Sequence, residues 1–155
     1  MISRVGVGII GFGTVGTGVA KILLGNDALI SRRVGVPIEI IRIADLDVIR
    51  DRGLDLPPGL LTTEAKQILT DPSIDIVVEL IGGCDVAKRI ILESIAAGKH
   101  VVTANKALLA LHGEEIFAAA SSKDVDLGFE ASVGGGIPVI QALREGLAAN
   151  TIQSI

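Results

Sequence analysis

The run Gly11-Phe12-Gly13-Thr14-Val15-Gly16, entered from the apolar stretch Val5–Ile10, limits what this chain can fold into more than any other feature. A strand stops there, the backbone turns on glycines, and an amphipathic helix begins. Gly11 permits a tight turn, Gly13 lets the backbone approach a pyrophosphate, and Gly16 lets the new helix sit close on the strand. The free N–H groups and positive dipole end of that helix then face phosphates, with Phe12, Thr14 and Val15 counted in the same phosphate-binding stretch. In a chain with 19 glycines such a spacing can also be a purely structural turn. The strand before it, the helix after it and the further alternation downstream are the context that a dinucleotide site needs.

At 155 residues the chain is about one domain, long enough for a packed core. Its net charge of −4 carries no long single-sign run, and its only aromatics are Phe12, Phe117 and Phe129. Base-stacking platforms and basic tails are therefore missing, and no nucleic-acid partner is expected. The core has to be built of Ile, Val, Leu and Ala. A single cysteine, Cys84, excludes an intrachain disulfide framework and suits a reducing compartment. No stretch is long and apolar enough for a bilayer span and no signal-peptide pattern opens the chain, so a cytoplasmic protein off the membrane is expected.

After the glycine turn, Val15, Val19, Ile22 and Leu23 fall at helical spacing, and Gly25-Asn26 stops the helix. Residues Asp27–Gly35 read as a helical extension or a loop, with Arg32-Arg33 on a solvated face. Pro37 opens a strand over Ile38–Ala44, dense in β-branched residues, with Asp45 at its carboxyl end. Leu46–Leu60, with Pro57-Pro58-Gly59, reads as a surface loop, and Thr62-Thr63-Glu64 as the cap of a short helix ending near Asp71-Pro72. Ile74–Ile81 is nearly continuously apolar, as buried parallel strands are. Gly82-Gly83 closes it, and Asp85 is placed to cap a helix Val86–Ala97 that ends at Gly98. His100–Thr103 is the next strand, with Asn105 as N-cap of a helix that Gly113 is expected to break and Glu114–Ser122 to resume. Val125–Glu130 reads as a strand, Ala131–Gly136 as a glycine loop, Pro138 as the start of a helix through Ala148, and Thr151–Ile155 as the beginning of a strand.

Strand–helix alternation with apolar strands implies an α/β fold: a Rossmann-type, doubly wound, mainly parallel sheet with helices on both faces. Ligands of such sheets sit outside the carboxyl ends of the strands. That rule gathers Gly11–Gly16, Asp45, Gly82-Gly83, Thr103–Lys106 and Glu130–Gly136 at one edge.

With those stretches in hand the chain resembles the amino-terminal part of homoserine dehydrogenase. The matching residues are Gly11–Gly18 (GFGTVGTG), His100–Ala110 (HVVTANKALLA) and Phe129–Pro138 (FEASVGGGIP), followed by Leu143–Asn150 (LREGLAAN) as the next helix. The first motif is common to many dehydrogenases; the second and third are specific, and they argue against a related small-substrate enzyme such as an aspartate dehydrogenase. A different class, a domain that senses dinucleotide without turnover, stays open. The resemblance implies reversible reduction of L-aspartate 4-semialdehyde to L-homoserine with a nicotinamide cofactor, on the route to threonine, methionine and isoleucine. It also implies that residues 1–136 form the nucleotide-binding domain and 137–155 the crossover helix and start of a substrate-binding and dimerisation domain. The parent enzyme is then a homo-oligomer acting on a small molecule, and this part alone is inactive.

The same resemblance places Lys106 between nicotinamide and substrate, positioning one or helping proton transfer at the carbonyl oxygen; a solvated lysine in a first helical turn is the plain alternative. It implies cofactor contacts from Gly11 to Gly16, Asp45, Gly82, Thr103 and Lys106. It further implies a monovalent cation, usually sodium, held by Glu130, Val133, Gly135 and Ile137; a glycine hinge between domains would use the same residues without any metal. Asp45 suits the ribose 2′-hydroxyl of NAD and repels a 2′-phosphate, so NAD is favoured over NADP. It lies farther from Gly16 than the usual roughly 20 residues because of the insertion Asn26–Val36. Some NADP-using relatives carry arginine where this chain has Leu46. Arg50 and Arg52 follow closely enough to neutralise a phosphate, although surface solvation is the simpler reading of both. Cys84 reads as a small buried thiol, His100 as a strand opener, and His112 as a helix C-terminal residue.

Overall fold

The computed structural model describes residues 3–151. In chain order the elements are β1 (Val5–Ile10), α1 (Thr14–Gly25), α2 (Asp27–Val34), β2 (Ile38–Ala44), β3 (Leu61–Thr62), α3 (Lys66–Leu69), β4 (Ile76–Glu79), α4 (Asp85–Ala96), β5 (His100–Thr103), α5 (Lys106–Lys123), β6 (Leu127–Gly128), α6 (Glu130–Val133) and α7 (Val139–Gln141), which runs into a π-helical turn at Ala142–Gly146. The strands form one sheet in the order β3-β2-β1-β4-β5-β6. Every pair is parallel. This is the doubly wound arrangement, and its order reverses between β1 and β4.

Alternation along β1 separates the two layers. Val7 and Ile9 pack with Phe12, Ala20 of α1 and Ile43 of β2. Ile10 points to the other face, with Ile68 and Leu69 of α3 and Ile90 of α4. Val101, in register with Val77, lies on that second face beneath α4 and α5, in a cluster with Ile91, Leu108 and Ile116. Lys88 and Glu115, 2.6 Å apart, tie α4 to α5 across their outer edges.

The amphipathic stripe of α1 is rotated from the one expected. Gly16 and Ala20 are buried, with Val19 and Leu23 partly so, while Val15 and Ile22 are 58% and 57% exposed. The cause is Gly16: a Cβ there would stand 2.1 Å from the Gly11 carbonyl oxygen, so this face must lie against the turn. Residues 27–34 are a separate helix, divided from α1 by Asn26 and closed by Gly35 at φ +88°. Leu61–Thr62 pairs with β2 as an edge strand, so Thr62 is a strand residue. Its hydroxyl accepts from the Glu64 N–H at 3.1 Å and turns the chain toward α3. The expected strand at 125–130 shrinks to Leu127–Gly128, because Glu130 already starts α6. The expected helix from Pro138 to Ala148 divides into α7 and the π-helical turn, and of the expected strand Thr151–Ile155 only Thr151 lies within the described residues.

Gly113 does not break α5, which runs unbroken to Lys123 and ends on Asp124 in the left-handed region at φ 53°. His112 is therefore a mid-helix residue. Gly113 is buried, and a Cβ there would meet only the Phe117 ring at 3.6 Å, an ordinary contact. Tertiary packing of α4 on α5 overrides the weak helix propensity of one glycine.

At the amino edge of the sheet, opposite the glycine turn, the buried Lys99 donates to the Asp71 and Ile74 carbonyls at 2.6 and 2.8 Å. Burial pushes its ammonium below the ordinary lysine range, with Asp71 and Asp75 opposing the shift. The Asp71 carboxylate accepts from the Ser73 hydroxyl at 2.6 Å and its N–H at 2.8 Å, and these bonds hold its carboxyl below the ordinary range.

Two outcomes are expected. Gly113→Ala stabilises the chain by about 0.5–1 kcal/mol, read as a rise in the far-ultraviolet melting midpoint. The lowered Asp71 carboxyl contributes stability that is complete above about pH 4 and lost as pH falls through its folded value. Urea melts between pH 2.5 and 5 should show Asp71→Asn losing less stability over that window than the parent sequence.

Candidate functional site

The glycine turn lies at the carboxyl end of β1, beside β4, where the strand order reverses. Gly11 sits at φ +99°, and a Cβ on it would come within 2.6 Å of the Leu80 carbonyl group at the end of β4. Gly11 is therefore required by β4 as well as by the turn. Gly13 precedes α1 with φ −73° and has nothing within 4 Å of where a Cβ would stand. The three glycines thus divide their roles: Gly11 and Gly16 are closed against protein, and Gly13 is open to a ligand. That open position before the unpaired N–H groups of a helix of 12 residues fits a pyrophosphate.

A cleft of about 420 Å³ opens beside the turn, between Gly11 and Gly13, Asp45 and Leu46 beyond β2, and Ile81 and Arg89 on the β4–α4 side. Its size and mixed lining suit part of a nucleotide. A second hollow of about 310 Å³ on the other side of Gly13 is lined by Phe12, Thr14, Thr17, Arg50 and Arg52.

Asp45 is one wall of the first cleft. Its Oδ2 accepts from the Phe12 N–H at 2.5 Å and its Oδ1 from the Asp47 N–H at 2.8 Å. Arg52 reaches the same turn from the loop after β2. Its Nε donates to the Phe12 carbonyl at 2.5 Å, its Nη1 to the Arg50 carbonyl at 2.9 Å, and its Nη2 lies 3.4 Å from Asp45 Oδ1. The guanidinium also covers the Phe12 ring, 4.9 Å from its centroid. Phe12 itself points into the core at 1% exposure, and both polar groups of its backbone are held by the Asp45–Arg52 pair. Arg52 is not surface-solvated: its side chain is 9% exposed. Arg50 is exposed, as expected.

A second polar cluster organises the carboxyl ends of β4 and β5. Glu79 is completely buried among apolar strands; its Oε1 accepts from the Ile81 N–H at 2.8 Å and its Oε2 from the Thr103 hydroxyl at 2.7 Å. The Thr103 hydroxyl oxygen in turn accepts from the Asn105 N–H at 3.0 Å. Asn105 caps α5 by accepting from Leu108 N–H at 3.1 Å and donates its amide to the Gly83 carbonyl at 2.6 Å. Buried Ser132 donates to the Thr103 carbonyl at 2.9 Å. The Ile81 and Gly83 backbone on either side of Gly82, Thr103 and the turn into Lys106 are thus wired together. Lys106 is the first residue of α5 and exposed, and among the described residues its ammonium forms no ion pair. It does not line the cleft at the glycine turn.

Glu130 opens α6, and its two carboxylate oxygens accept from the N–H groups of Ile140 and Gln141 at 2.8 and 2.9 Å. The Ile137 carbonyl accepts from the Val139 N–H at 2.8 Å. Two of the four expected cation ligands are therefore already engaged, Glu130 in fastening α7 to α6 and the Ile137 carbonyl in the local turn into α7, and Gly135 sits at φ +61° before that turn. Among the described residues no three His, Cys, Asp or Glu side chains gather as metal ligands. Cys84 is half-buried at the N-cap of α4 and is not paired in a disulfide. His100 accepts from the Asp126 N–H at 3.0 Å, at the amino end of β5 and away from the site. No helix of the described residues is long and apolar enough to cross a membrane.

Residue-by-residue reading of the sequence missed Glu79 and Ser132, and it favoured surface solvation for Arg52, which the structure buries. Glu79 carried a signal: it is the one acid late in a nearly unbroken apolar strand, just before paired glycines. Arg52 was legible only as a cation near the end of β2; its return to the turn 40 residues earlier is set by the folded loop.

Residues 11–130 match the family model described as homoserine dehydrogenase, NAD binding domain. The homoserine dehydrogenase of Pseudomonas aeruginosa is 50% identical over 146 residues, which are 94% of this chain and 33% of that protein. That of Neisseria gonorrhoeae is 47% identical over 151 residues, 97% of this chain and 34% of that protein. Among solved structures, a homoserine dehydrogenase from Thiobacillus denitrificans superposes with a TM-score of 0.87 at 51% identity, covering 95% of this chain and 34% of that one. The chain thus spans about a third of the length of the curated relatives it matches. With a family model covering most of its length and with these relatives, the chain belongs to the homoserine dehydrogenase family and spans its NAD-binding domain.

Proposed function

We propose that this chain is the nucleotide-binding part of an oxidoreductase that interconverts L-homoserine and L-aspartate 4-semialdehyde with NAD(P). Residues 1–136 form the cofactor domain in this reading, and 137–155 lead into a substrate-binding and dimerisation domain. The observation that carries it is the split of the glycine roles at the point of strand reversal, with Gly13 open where Gly11 and Gly16 are closed. Two specific stretches, around Asn105-Lys106 and Glu130–Pro138, lie at the same carboxyl edge.

A bound nicotinamide dinucleotide supplies the hydride. The pyrophosphate is held by the backbone of Gly11, Phe12, Gly13, Thr14, Val15 and Gly16, and Asp45 faces the adenosine ribose. Gly82 and Thr103 border the path toward the nicotinamide, where left-handed Gly82, at φ +77°, leaves the backbone close to a ligand. Lys106 orders cofactor against substrate and steadies or protonates the carbonyl oxygen. Its place supports this role: a cation at the first residue of a helix gains nothing from the dipole, and the Glu79–Thr103–Asn105 cluster sets the turn that presents it. For Glu130, Val133, Gly135 and Ile137 the hydrogen bonds favour a fastened hinge. A sodium ion at these residues would have to share Glu130 with the Ile140 and Gln141 N–H groups.

The full-length protein is expected to oxidise homoserine, and Lys106→Ala to cut that rate by about a hundredfold or more. Activity surviving the substitution removes the role, and a full-length protein that binds cofactor without turnover is a dinucleotide sensor instead. In this chain Gly16→Ala drives a Cβ onto the Gly11 carbonyl and costs about 1–3 kcal/mol of stability. Gly13→Val leaves stability within about 0.5 kcal/mol yet weakens NADH binding by about tenfold or more, as read by nicotinamide fluorescence. Equal melting losses in the two variants would contradict the division of roles.

A further inference from the structure

Glu79 is fully buried at the carboxyl end of β4, and both of its oxygens face donors. The Ile81 N–H can only donate. The Thr103 hydroxyl is equally buried, and its oxygen already accepts from the Asn105 N–H, so its one proton goes to Glu79 Oε2 at 2.7 Å. A protonated Glu79 would have to donate to that hydroxyl oxygen instead and would strand the hydroxyl hydrogen in a buried place, a cost that the carboxylate avoids. The geometry therefore holds Glu79 as an anion. Among the described residues no Lys, Arg or His pairs with it, and both of its donors are neutral. Lys106, three residues past Thr103, is exposed, where water screens its charge far more than that of a buried group. An uncompensated negative charge thus lies behind Thr103 and beside Gly82.

We infer that the buried Glu79 carboxylate biases this site toward the oxidised form of the nicotinamide ring. The oxidised ring carries a positive charge and the reduced ring none, so a fixed anion behind the ring's path attracts only the first. In the cofactor site proposed above, on which this inference rests, Thr103 and Gly82 border that path. Glu79 holds the hydroxyl of one and the backbone beside the other. With no exposed surface it touches neither cofactor nor substrate, and it acts through its field, which low-dielectric surroundings leave strong. Binding and reduction are linked: the factor by which Glu79 favours NAD⁺ over NADH is the factor by which it makes the bound NAD⁺ harder to reduce.

The test is titration of this chain with NADH by nicotinamide fluorescence and with NAD⁺ by displacement of NADH, with melting curves of each variant in parallel. Glu79→Gln should weaken NAD⁺ relative to NADH by about three- to tenfold. Glu79→Met, apolar and of similar length, should do the same, and it gives the reading if the amide variant melts too low to assay. Thr103→Val removes one of the same hydrogen bonds but keeps the charge. It should lower the melting midpoint and leave the ratio of the two affinities within about twofold of its original value. A Glu79 that only braces the loop would weaken both cofactors in step, so equal weakening of NAD⁺ and NADH by the Glu79 variants overturns the inference. A ratio that Thr103→Val moves as far as Glu79→Gln overturns it too. Binding of neither cofactor to the unsubstituted chain is a different failure: it overturns the cofactor site itself.

Discussion

Contact between α1 and the end of β1 is the constraint on which the rest of this structure depends. With hydrogen as its side chain, Gly16 rests against the Gly11 carbonyl, at a distance where any Cβ would collide. That approach sets the rotation of α1, which buries Gly16 and Ala20 and turns Val15 outward. It brings the unpaired N–H groups of the helix over the strand ends. It also leaves Gly13 as the bare point of the turn, so the shape of the proposed phosphate site follows from a packing requirement.

A sheet edge that must stay open to a ligand leaves backbone groups without strand partners, and these have to be satisfied by side chains. The protein does so twice, once on each side of the strand reversal. On the β2 side, Asp45 and Arg52 take the N–H and the carbonyl of Phe12. On the β4–β5 side, Glu79 and Thr103 take the N–H groups of Ile81 and Asn105, and Ser132 takes the Thr103 carbonyl. Each cluster keeps a loop in one conformation before a ligand arrives, which lowers the ordering cost of binding. At the opposite edge, Lys99 performs the equivalent service for the Asp71 and Ile74 carbonyls, and there the strand ends are closed.

At Glu130 the hydrogen bonds are those of a fastener. Its carboxylate fastens α7 to α6, directly after the glycine stretch. A chain that leaves the sheet through three glycines needs its direction fixed, because glycines alone would leave it undetermined. Glu130 supplies the direction by holding two N–H groups at the start of the following helix.

What the sequence by itself determined was the class of fold and the sheet edge at which the glycine turn and the other candidate stretches gather. Apolar runs at Val5–Ile10, Ile38–Ala44, Ile74–Ile81 and His100–Thr103, alternating with helical periods, admit little besides a parallel doubly wound sheet. Asn105 was legible as a cap because capping is local, and Gly11–Gly16 was legible because each glycine answers a local demand. The tertiary structure alone decided what depends on distant partners. Gly113 stays helical because α4 packs on α5, Leu61–Thr62 becomes a strand because β2 offers an edge, and Val15 faces outward because Gly16 must face in. Arg52 belongs to the site because the loop after β2 folds back onto Phe12, a contact that no spacing or periodicity encodes.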